Sequence, residues 1–304
     1  MKYQIIINKI YKSIKPFLGI GKLASYIPPL TEVNPNKFGI SIMTCKGDYY
    51  HIGDAEESFS IQSISKVFTL TLALKKYGSK IWTRVGREPS GSGFNSLVQL
   101  EHENGIPRNP FINAGAIVIS DMLLDTYSNP KEFFLNFLRT IGDNQEINYD
   151  NQIAFAEKET GYRNIAIANF MKAYDNIQND ITQVLDFYFH QCSVMMSCKD
   201  LCRAFLYLAN YGVDPISKNN IITMRQSKKI NSLMLTSGLY NEAGNFAYRV
   251  GLPGKSGVGG GIIAVLPKEL VISVWSPLLN NNGNSFAGIK ALDLFTTLSG
   301  KSIF

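Results

Sequence analysis

Apolar positions near the two ends of the chain occur in short runs, and polar turns separate these runs. Residues 38–44 and 49–52 lie on either side of a Lys-Gly-Asp turn, and residues 261–266 and 270–276 lie on either side of a Pro-Lys-Glu turn. Paired apolar runs around a tight turn are typical of β-hairpins. The pattern therefore predicts one hairpin near each end of the chain.

The middle of the chain has helical spacing instead. Apolar residues recur every three or four positions from Ile61 to Leu72, and Gly78 is the predicted end of this helix. Ser58 and Ser60 precede the pattern and are candidate N-caps. The amphipathic segment 5–14 and residues 285–298 add one predicted helix near each terminus.

Strands near both ends and helices between them predict an α+β fold, with a central antiparallel sheet flanked by helices and a mostly helical lobe. We expect residues 1–304 to form a single catalytic domain of two interleaved lobes. Residues 1–59 and 231–304 would form the sheet lobe, and residues 60–230 the helical lobe. The crevice between them is the expected site.

Composition narrows the function classes. The 304 residues are 45% hydrophobic, and the formal charge of +6 is spread without a long basic run, so neither a nucleic-acid partner nor a membrane partner is expected. Cys192, Cys198 and Cys202 match no paired metal-binding spacing and are interpreted as buried thiols, with no metal. The absence of a disulfide pattern or export signal predicts a cytoplasmic protein.

Ser63 and Lys66 are the first candidate chemistry. Their spacing places them on one face of the predicted helix, where an amine held neutral could take the proton of a serine nucleophile. Ser128 and Lys131 have the same spacing, but Pro130 lies between them and the segment is interpreted as a loop. Spacing alone therefore leaves a capping serine and a solvated lysine as the alternative.

A second element lies downstream, where Lys255-Ser-Gly precedes a glycine-rich stretch and an apolar run. Ser-x-x-Lys followed by Lys-Ser/Thr-Gly on a strand is the pattern of serine acyl-transfer enzymes. A phosphate-binding loop would need a glycine where Arg249 stands, so that alternative fails. An ordinary glycine-rich turn explains Gly259 to Gly261 but not the Lys-Ser-Gly order.

Longer blocks resemble the bacterial-type serine glutaminases across nearly the whole chain. The blocks are Gly86-Arg-Glu-Pro-Ser-Gly91, Phe94-Asn-Ser96, Gly105-Ile-Pro-Arg-Asn-Pro-Phe-Ile-Asn-Ala-Gly-Ala116, Glu157-Lys-Glu-Thr-Gly-Tyr-Arg-Asn164, Tyr188-Phe-His-Gln-Cys-Ser193 and Phe246-Ala-Tyr-Arg-Val-Gly-Leu-Pro-Gly-Lys-Ser-Gly-Val-Gly-Gly260. That family is similar in fold to the serine β-lactamases and penicillin-binding proteins, and it converts L-glutamine to L-glutamate and ammonia.

The resemblance implies roles for particular residues. It implies Ser63 as nucleophile and Lys66 as its partner, and it places around the substrate Asn113, Glu157, Asn164, Tyr188, Tyr240 and Val258. It further implies a homodimer or homotetramer and no cofactor. From the residues alone, Tyr188 could equally be a core tyrosine. Glu157 could lie on an exposed helix face, and Glu159 is chemically just as suitable.

The chemistry makes further demands on these residues. Backbone N–H groups of Ser63 and Val258 are the expected oxyanion donors. Lys66 must be neutral to act as a base, and we expect both burial and the positive charge of Lys255 to lower its pKa. Tyr188 is the expected proton shuttle.

Two alternative functions stay open at this point. A β-lactamase or D-Ala-D-Ala carboxypeptidase would use similar chemistry, although no export signal is present. A non-catalytic amino-acid sensor could use the same scaffold. A Ser-His-Asp site has little support, because only His51, His102 and His190 are present and no Gly-x-Ser-x-Gly elbow occurs.

Overall fold

The computed structural model describes residues 2–91 and 97–304. The Phe94-Asn-Ser96 block lies outside the described residues. The mixture of helices and an antiparallel sheet that the sequence predicts is confirmed. No helix within the described ranges is both long enough and apolar enough to cross a membrane.

The main sheet has five strands in the order β2-β1-β8-β7-β6, and every neighbouring pair is antiparallel. Both predicted hairpins are present, and they join at the centre of the sheet through β1 and β8. A second sheet has the order β3-β5-β4. The strands are β1 Gly39–Thr44, β2 Tyr49–Gly53, β3 Phe59–Ser60, β4 Asn148–Tyr149, β5 Val194–Met196, β6 Gly254–Ser256, β7 Gly261–Leu266 and β8 Leu270–Trp275.

Helices fill most of the chain between the two hairpins and add one element at each end. They are α1 Lys2–Ile14, α2 Ser65–Tyr77, α3 Leu97–His102, α4 Asn113–Leu124, α5 Pro130–Gly142, α6 Asn151–Thr160, α7 Tyr162–Ala173, α8 Ile181–Cys192, α9 Cys198–Ala209, α10 Met224–Ser237, α11 Ala243–Arg249 and α12 Phe286–Ser299. The predicted terminal helices correspond to α1 and α12.

Both faces of the main sheet are covered, because side chains that alternate along its strands enter different cores. Ile262 and Ala264 of β7 belong to a core that includes apolar residues of α1 and α12. Ile263 and Val265 belong to the larger core, which is formed mainly by the helices between the hairpins. The sheet therefore separates two apolar layers, and the expected division into lobes at residues 60 and 230 stays a prediction.

Two local predictions were wrong. The Ser63 segment begins with a 3-10 turn, Gln62–Ile64, and Ser60 lies in β3, so neither turn nor helix has a side-chain N-cap. Pro130 does not mark a loop. It occupies the first turn of α5, where a missing N–H costs nothing, and the Asn129 side chain caps that helix.

Candidate active site

The predicted substrate residues come together in one cavity of about 540 Å³. Its wall includes all seven of them: Ser63, Asn113, Glu157, Asn164, Tyr188, Tyr240 and Val258. These residues come from four helices, two turns and the loop after β6. Residues far apart in sequence thus share one enclosed space, as a small-molecule site requires.

Ser63 is held at the cavity by backbone contacts of the residues before it. The Ile61 N–H donates to the Val194 carbonyl at the end of β3, and Gln62 adopts φ of +49°. A positive φ is costly for a residue with a side chain and persists where the surrounding structure enforces it. The Ser63 side chain is hydrogen-bonded to the side chain of Tyr240.

Lys66 is the second residue of α2, about one turn after Ser63, and is 1% exposed. Its Nζ donates to Asn113 Oδ1 at 2.7 Å and to the Phe111 carbonyl at 3.3 Å. Burial lowers the Lys66 pKa to about 8, although the Cys192 and Glu157 side chains oppose the shift. A lowered pKa is what a general base of this type needs.

Lys255 is fully buried on β6, and its Nζ donates to the Ser256 carbonyl at 2.7 Å. Burial is the main cause that lowers its pKa well below the usual value, and the Lys66 charge lowers it further. Like charges disfavour each other's charged form, and the expected contribution of Lys255 to the lowered Lys66 pKa stays a prediction. Lys255 Nζ lies 4.3 Å from the Tyr240 ring centre, and Lys66 Nζ lies 5.7 Å from it.

Glu157 does not lie on an exposed helix face, which was the default interpretation of its segment. It is buried, whereas Glu159 on the same helix is exposed. Burial is the main cause that raises the Glu157 pKa to about 7, against the Lys66 charge and a hydrogen bond from Gln62. An unpaired carboxylate inside a cavity is a natural partner for a ligand cation.

Tyr188 is buried on α8, so it fits the core of the helical region as well as the cavity wall. Burial raises its pKa well above the usual value. Its hydroxyl bonds to the Cys192 thiol, whose own pKa burial raises to about 12. Both groups are therefore neutral at physiological pH, and Tyr188 can donate a proton but does not readily lose one.

Steric contacts explain why glycine occupies positions 257 and 259 in the loop after Lys255. A Cβ on Gly257 would lie 2.4 Å from the Ile61 carbonyl oxygen, and one on Gly259 would lie 2.1 Å from that of Ser60. Only glycine lets this loop approach the Ser63 turn so closely. The Val258 N–H between them has no hydrogen-bond acceptor within the described part of the chain.

Sequence reasoning missed several residues of the cavity wall, including Tyr26, Gln62, Arg163 and Cys192. Gln62 is next to Ser63 in sequence, and Cys192 lies in the block 188–193 that resembles the family. Their positions in the sequence could therefore have identified them as site candidates. Tyr26 lies in an irregular segment before β1, and no pattern in the sequence connects it to Ser63.

Within residues 2–91 and 97–304, no group of three or more His, Cys, Asp or Glu side chains could hold a metal ion. Cys192, Cys198 and Cys202 are free and buried, as interpreted from the sequence.

Comparisons with known proteins agree on one family. The family model described as Glutaminase matches residues 21–304. The chain is 52% identical to a glutaminase of Marinomonas sp. (strain MWYL1) over 98% of this chain and 99% of that protein. It is also 52% identical to a glutaminase of Aliarcobacter butzleri (strain RM4018) over the full length of both.

Solved structures give the same result. The probable glutaminase ybaS has a TM-score of 0.95 at 33% identity, covering 100% of this chain and 98% of that one. A probable glutaminase of Bacillus subtilis, complexed with 6-diazo-5-oxo-L-norleucine, has a TM-score of 0.88 at 31% identity, covering 97% and 94%. These neighbours have the β-lactamase-like fold, which this chain shares. The chain belongs to the glutaminase family and is a hydrolase of that class.

Proposed function

We propose that this enzyme hydrolyses L-glutamine to L-glutamate and ammonia through a glutamyl ester on Ser63. The observation that carries this proposal is the composition of the 540 Å³ cavity, where a serine hydroxyl and a buried carboxylate face the same space. A free amino acid needs a counter-charge for its α-ammonium and a nucleophile at its side-chain carbonyl. The cavity offers both.

Glu157 is the proposed partner of the α-ammonium. Its pKa of about 7 reflects a buried carboxylate without a cation at ion-pair distance among the described residues, and an ammonium group supplies that cation. Asn113 and Asn164 are linked by a hydrogen bond of 3.0 Å and can donate to substrate oxygens, as can the hydroxyl of Tyr240. This set positions the glutamine side chain toward Ser63.

Acylation begins when Ser63 Oγ attacks the side-chain amide carbon. Neutral Lys66 takes the hydroxyl proton, and a tetrahedral oxyanion forms on the former carbonyl oxygen. The N–H groups of Ser63 and Val258 are proposed to donate to that oxyanion, which is consistent with the free Val258 N–H. Collapse breaks the C–N bond, and the leaving nitrogen takes a proton and departs as ammonia.

Deacylation repeats the sequence with water. Water attacks the ester carbon, Lys66 accepts its proton, and collapse returns a proton to Ser63 Oγ as glutamate leaves. In acylation, Tyr188 is proposed to pass a proton to the departing nitrogen and to receive one from protonated Lys66 in the same step, which leaves Lys66 neutral for deacylation. Its raised pKa supports this concerted relay, because a free phenolate would be too costly in this environment.

Asn113 connects substrate binding to activation of the base. In this structure Lys66 donates to Asn113, while Ser63 bonds to Tyr240. A substrate N–H group that donates to Asn113 Oδ1 competes with Lys66 for that oxygen and frees Lys66 to turn toward Ser63. The hydrogen bonds between catalytic groups often tighten only when substrate is bound, so this arrangement is compatible with a Ser-Lys pair.

The deciding experiment measures ammonia release from glutamine and asparagine, and D-alanine release from a D-Ala-D-Ala peptide, by wild type and Ser63→Ala. Release from glutamine by wild type alone is expected. Equal rates in both proteins would refute the mechanism, and cleavage of the peptide would favour the penicillin-binding alternative. Tight glutamine binding without ammonia release would favour the sensor.

The covalent step has its own test. Wild type incubated with 6-diazo-5-oxo-L-norleucine should gain a single adduct that peptide mass spectrometry assigns to Ser63, and Ser63→Ala should gain none. We also propose a homodimer or homotetramer, for which light scattering gives the molar mass directly.

A further inference from the structure

A cavity of about 320 Å³ lies between residues 82–87 and α10, and it shares no wall residue with the substrate cavity. Three of its wall residues are cations and none is acidic. The wall is formed by Trp82, Arg87, Lys228, Lys229, Ser232, Leu233 and Thr236. Like charges around one small volume repel each other, so an anion in that volume would be stabilised.

The cations of this cavity are not neutralised by the protein. Arg87, Lys228 and Lys229 form no ion pair with the acidic residues that the structure describes. The contact of Arg87 is with the indole face of Trp82, 5.8 Å from the ring centre. By contrast, the buried Arg203 guanidinium forms two hydrogen bonds to Asp214 at 2.7 Å and 3.0 Å.

Trp82 adds an independent observation. Its indole Nε1 is buried and has no hydrogen-bond acceptor within the described residues. A buried donor without an acceptor is costly, and most such groups in proteins are satisfied by protein, water or ligand. Trp82 is part of the cavity wall, so this donor without an acceptor belongs to a residue that lines the proposed site.

We propose that this cavity binds a small organic dianion through its phosphate or carboxylate oxygens. Three cations match a charge of minus two or more, and Arg87 can bind such oxygens in a bidentate manner. At about 30 Å³ per water-sized group, the cavity holds roughly ten such groups. That size fits a three-carbon phosphate ester or a four-carbon dicarboxylate.

A ligand here would hold two parts of the fold together. Residues Lys228 to Thr236 belong to α10, whereas Trp82 and Arg87 belong to the segment that follows α2. The end of α10 leads within three residues to Tyr240, beside Ser63. Because such a ligand binds the folded protein and not the unfolded chain, the melting temperature should rise as the ligand concentration increases.

The test is calorimetric titration of the full-length enzyme, without glutamine, with glycerol 3-phosphate and with succinate. Sodium chloride keeps ionic strength constant. Wild type should bind at least one of them, and Lys228→Gln/Lys229→Gln should lower the affinity at least about tenfold, as loss of charge-assisted contacts does. Arg87→Gln should also weaken binding, and Trp82→Phe should remove the indole contribution.

Lys75→Gln/Lys76→Gln is the matched control. It removes the same charge from an exposed turn of α2 outside the cavity and should leave affinity unchanged. Binding of one ligand class alone identifies the source of the oxygens and supports the site. No binding of either ligand to wild type, or an equal loss in the control, overturns the proposal. Circular dichroism confirms that each variant is folded, and Arg87→Gln serves alone if the double variant is not.

Discussion

Two segments of this enzyme have a serine three residues before a lysine, and their surroundings differ completely. Lys66 is 1% exposed and donates to an amide oxygen and a carbonyl oxygen. Lys131 forms a 2.8 Å ion pair with Asp186 and keeps 38% of its side chain exposed. Ser63 faces a cavity, whereas Ser128 is exposed at the surface.

The difference shows what turns a spacing into chemistry. Lys131 is paired with a carboxylate at the surface, and Ser128 faces solvent rather than a cavity. Burial without an ion-pair partner among the described residues disfavours the charged form of Lys66. The environment, rather than the spacing, makes one lysine a candidate base.

The largest expected effect is the loss of kcat when the Lys66 amine is removed, compared with removal of the Lys131 amine. Lys66→Ala should lower kcat by about a hundredfold to ten-thousandfold, the usual contribution of a general base. Lys131→Ala should leave kcat within about twofold of wild type, because a surface ion pair contributes little. Steady-state ammonia release measures both, and similar losses in the two variants would contradict the comparison.

The second largest effect is expected in the pH dependence of kcat/KM, which should follow the ionisation of Lys66. The proposed base, Lys66, can accept a proton only when it is unprotonated, and its folded pKa of about 8 is lower than usual. The value of kcat/KM should therefore rise as pH increases through about 8 and fall about tenfold for each pH unit below it. A flat profile between pH 6 and pH 9 would show that another group takes the proton.

The two tyrosines near these segments extend the comparison. Tyr188→Phe should lower kcat by about tenfold to a hundredfold if its hydroxyl relays a proton. Tyr149, whose hydroxyl donates to the Lys131 carbonyl at 2.7 Å, is the matched control, and Tyr149→Phe should keep normal turnover. Normal turnover and a normal pH profile in Tyr188→Phe would show that Tyr188 is a core residue without a catalytic role.

Two glutamates of α6 give a smaller effect, on affinity. Glu157→Gln should raise KM about tenfold, because a buried charged hydrogen bond to the α-ammonium is lost. Exposed Glu159→Gln should not change KM. In wild type, protonation of Glu157 below its pKa of about 7 removes the negative charge, so KM should rise as pH falls. Unchanged KM in Glu157→Gln would show that the ammonium binds elsewhere.

The smallest effect is expected at the surface ion pair itself. Asp186→Asn should change the free energy of unfolding by less than about 1 kcal/mol, and high salt should reduce even that. Urea unfolding measures it. A loss of several kcal/mol would mean that the Lys131 segment is more than a solvated helix start.

Local sequence patterns predicted the hairpins and the terminal helices, because turn residues and apolar period act within a few positions. The strand that carries Lys255 was expected from the Lys-Ser-Gly motif instead. Local patterns did not predict that Ser60 joins a strand, since that depends on pairing with residues near 195. The burial of Glu157 and the position of Tyr26 depend on distant chain segments in the same way. The burial of Lys66 and Lys255 likewise depends on the packing of distant segments, which no spacing encodes.

The order of strands in the main sheet has a consequence for synthesis of the chain. β1 pairs with β8, and Lys255 on β6 reaches the sheet only through β7. During synthesis, β6 can therefore join the sheet only after β7 and β8 have left the ribosome, because β7 links β6 to the rest of the sheet and β8 links β7 to β1. Nascent chains contain Ser63 early, but the cavity wall that includes Val258 is complete only after the closing strands arrive.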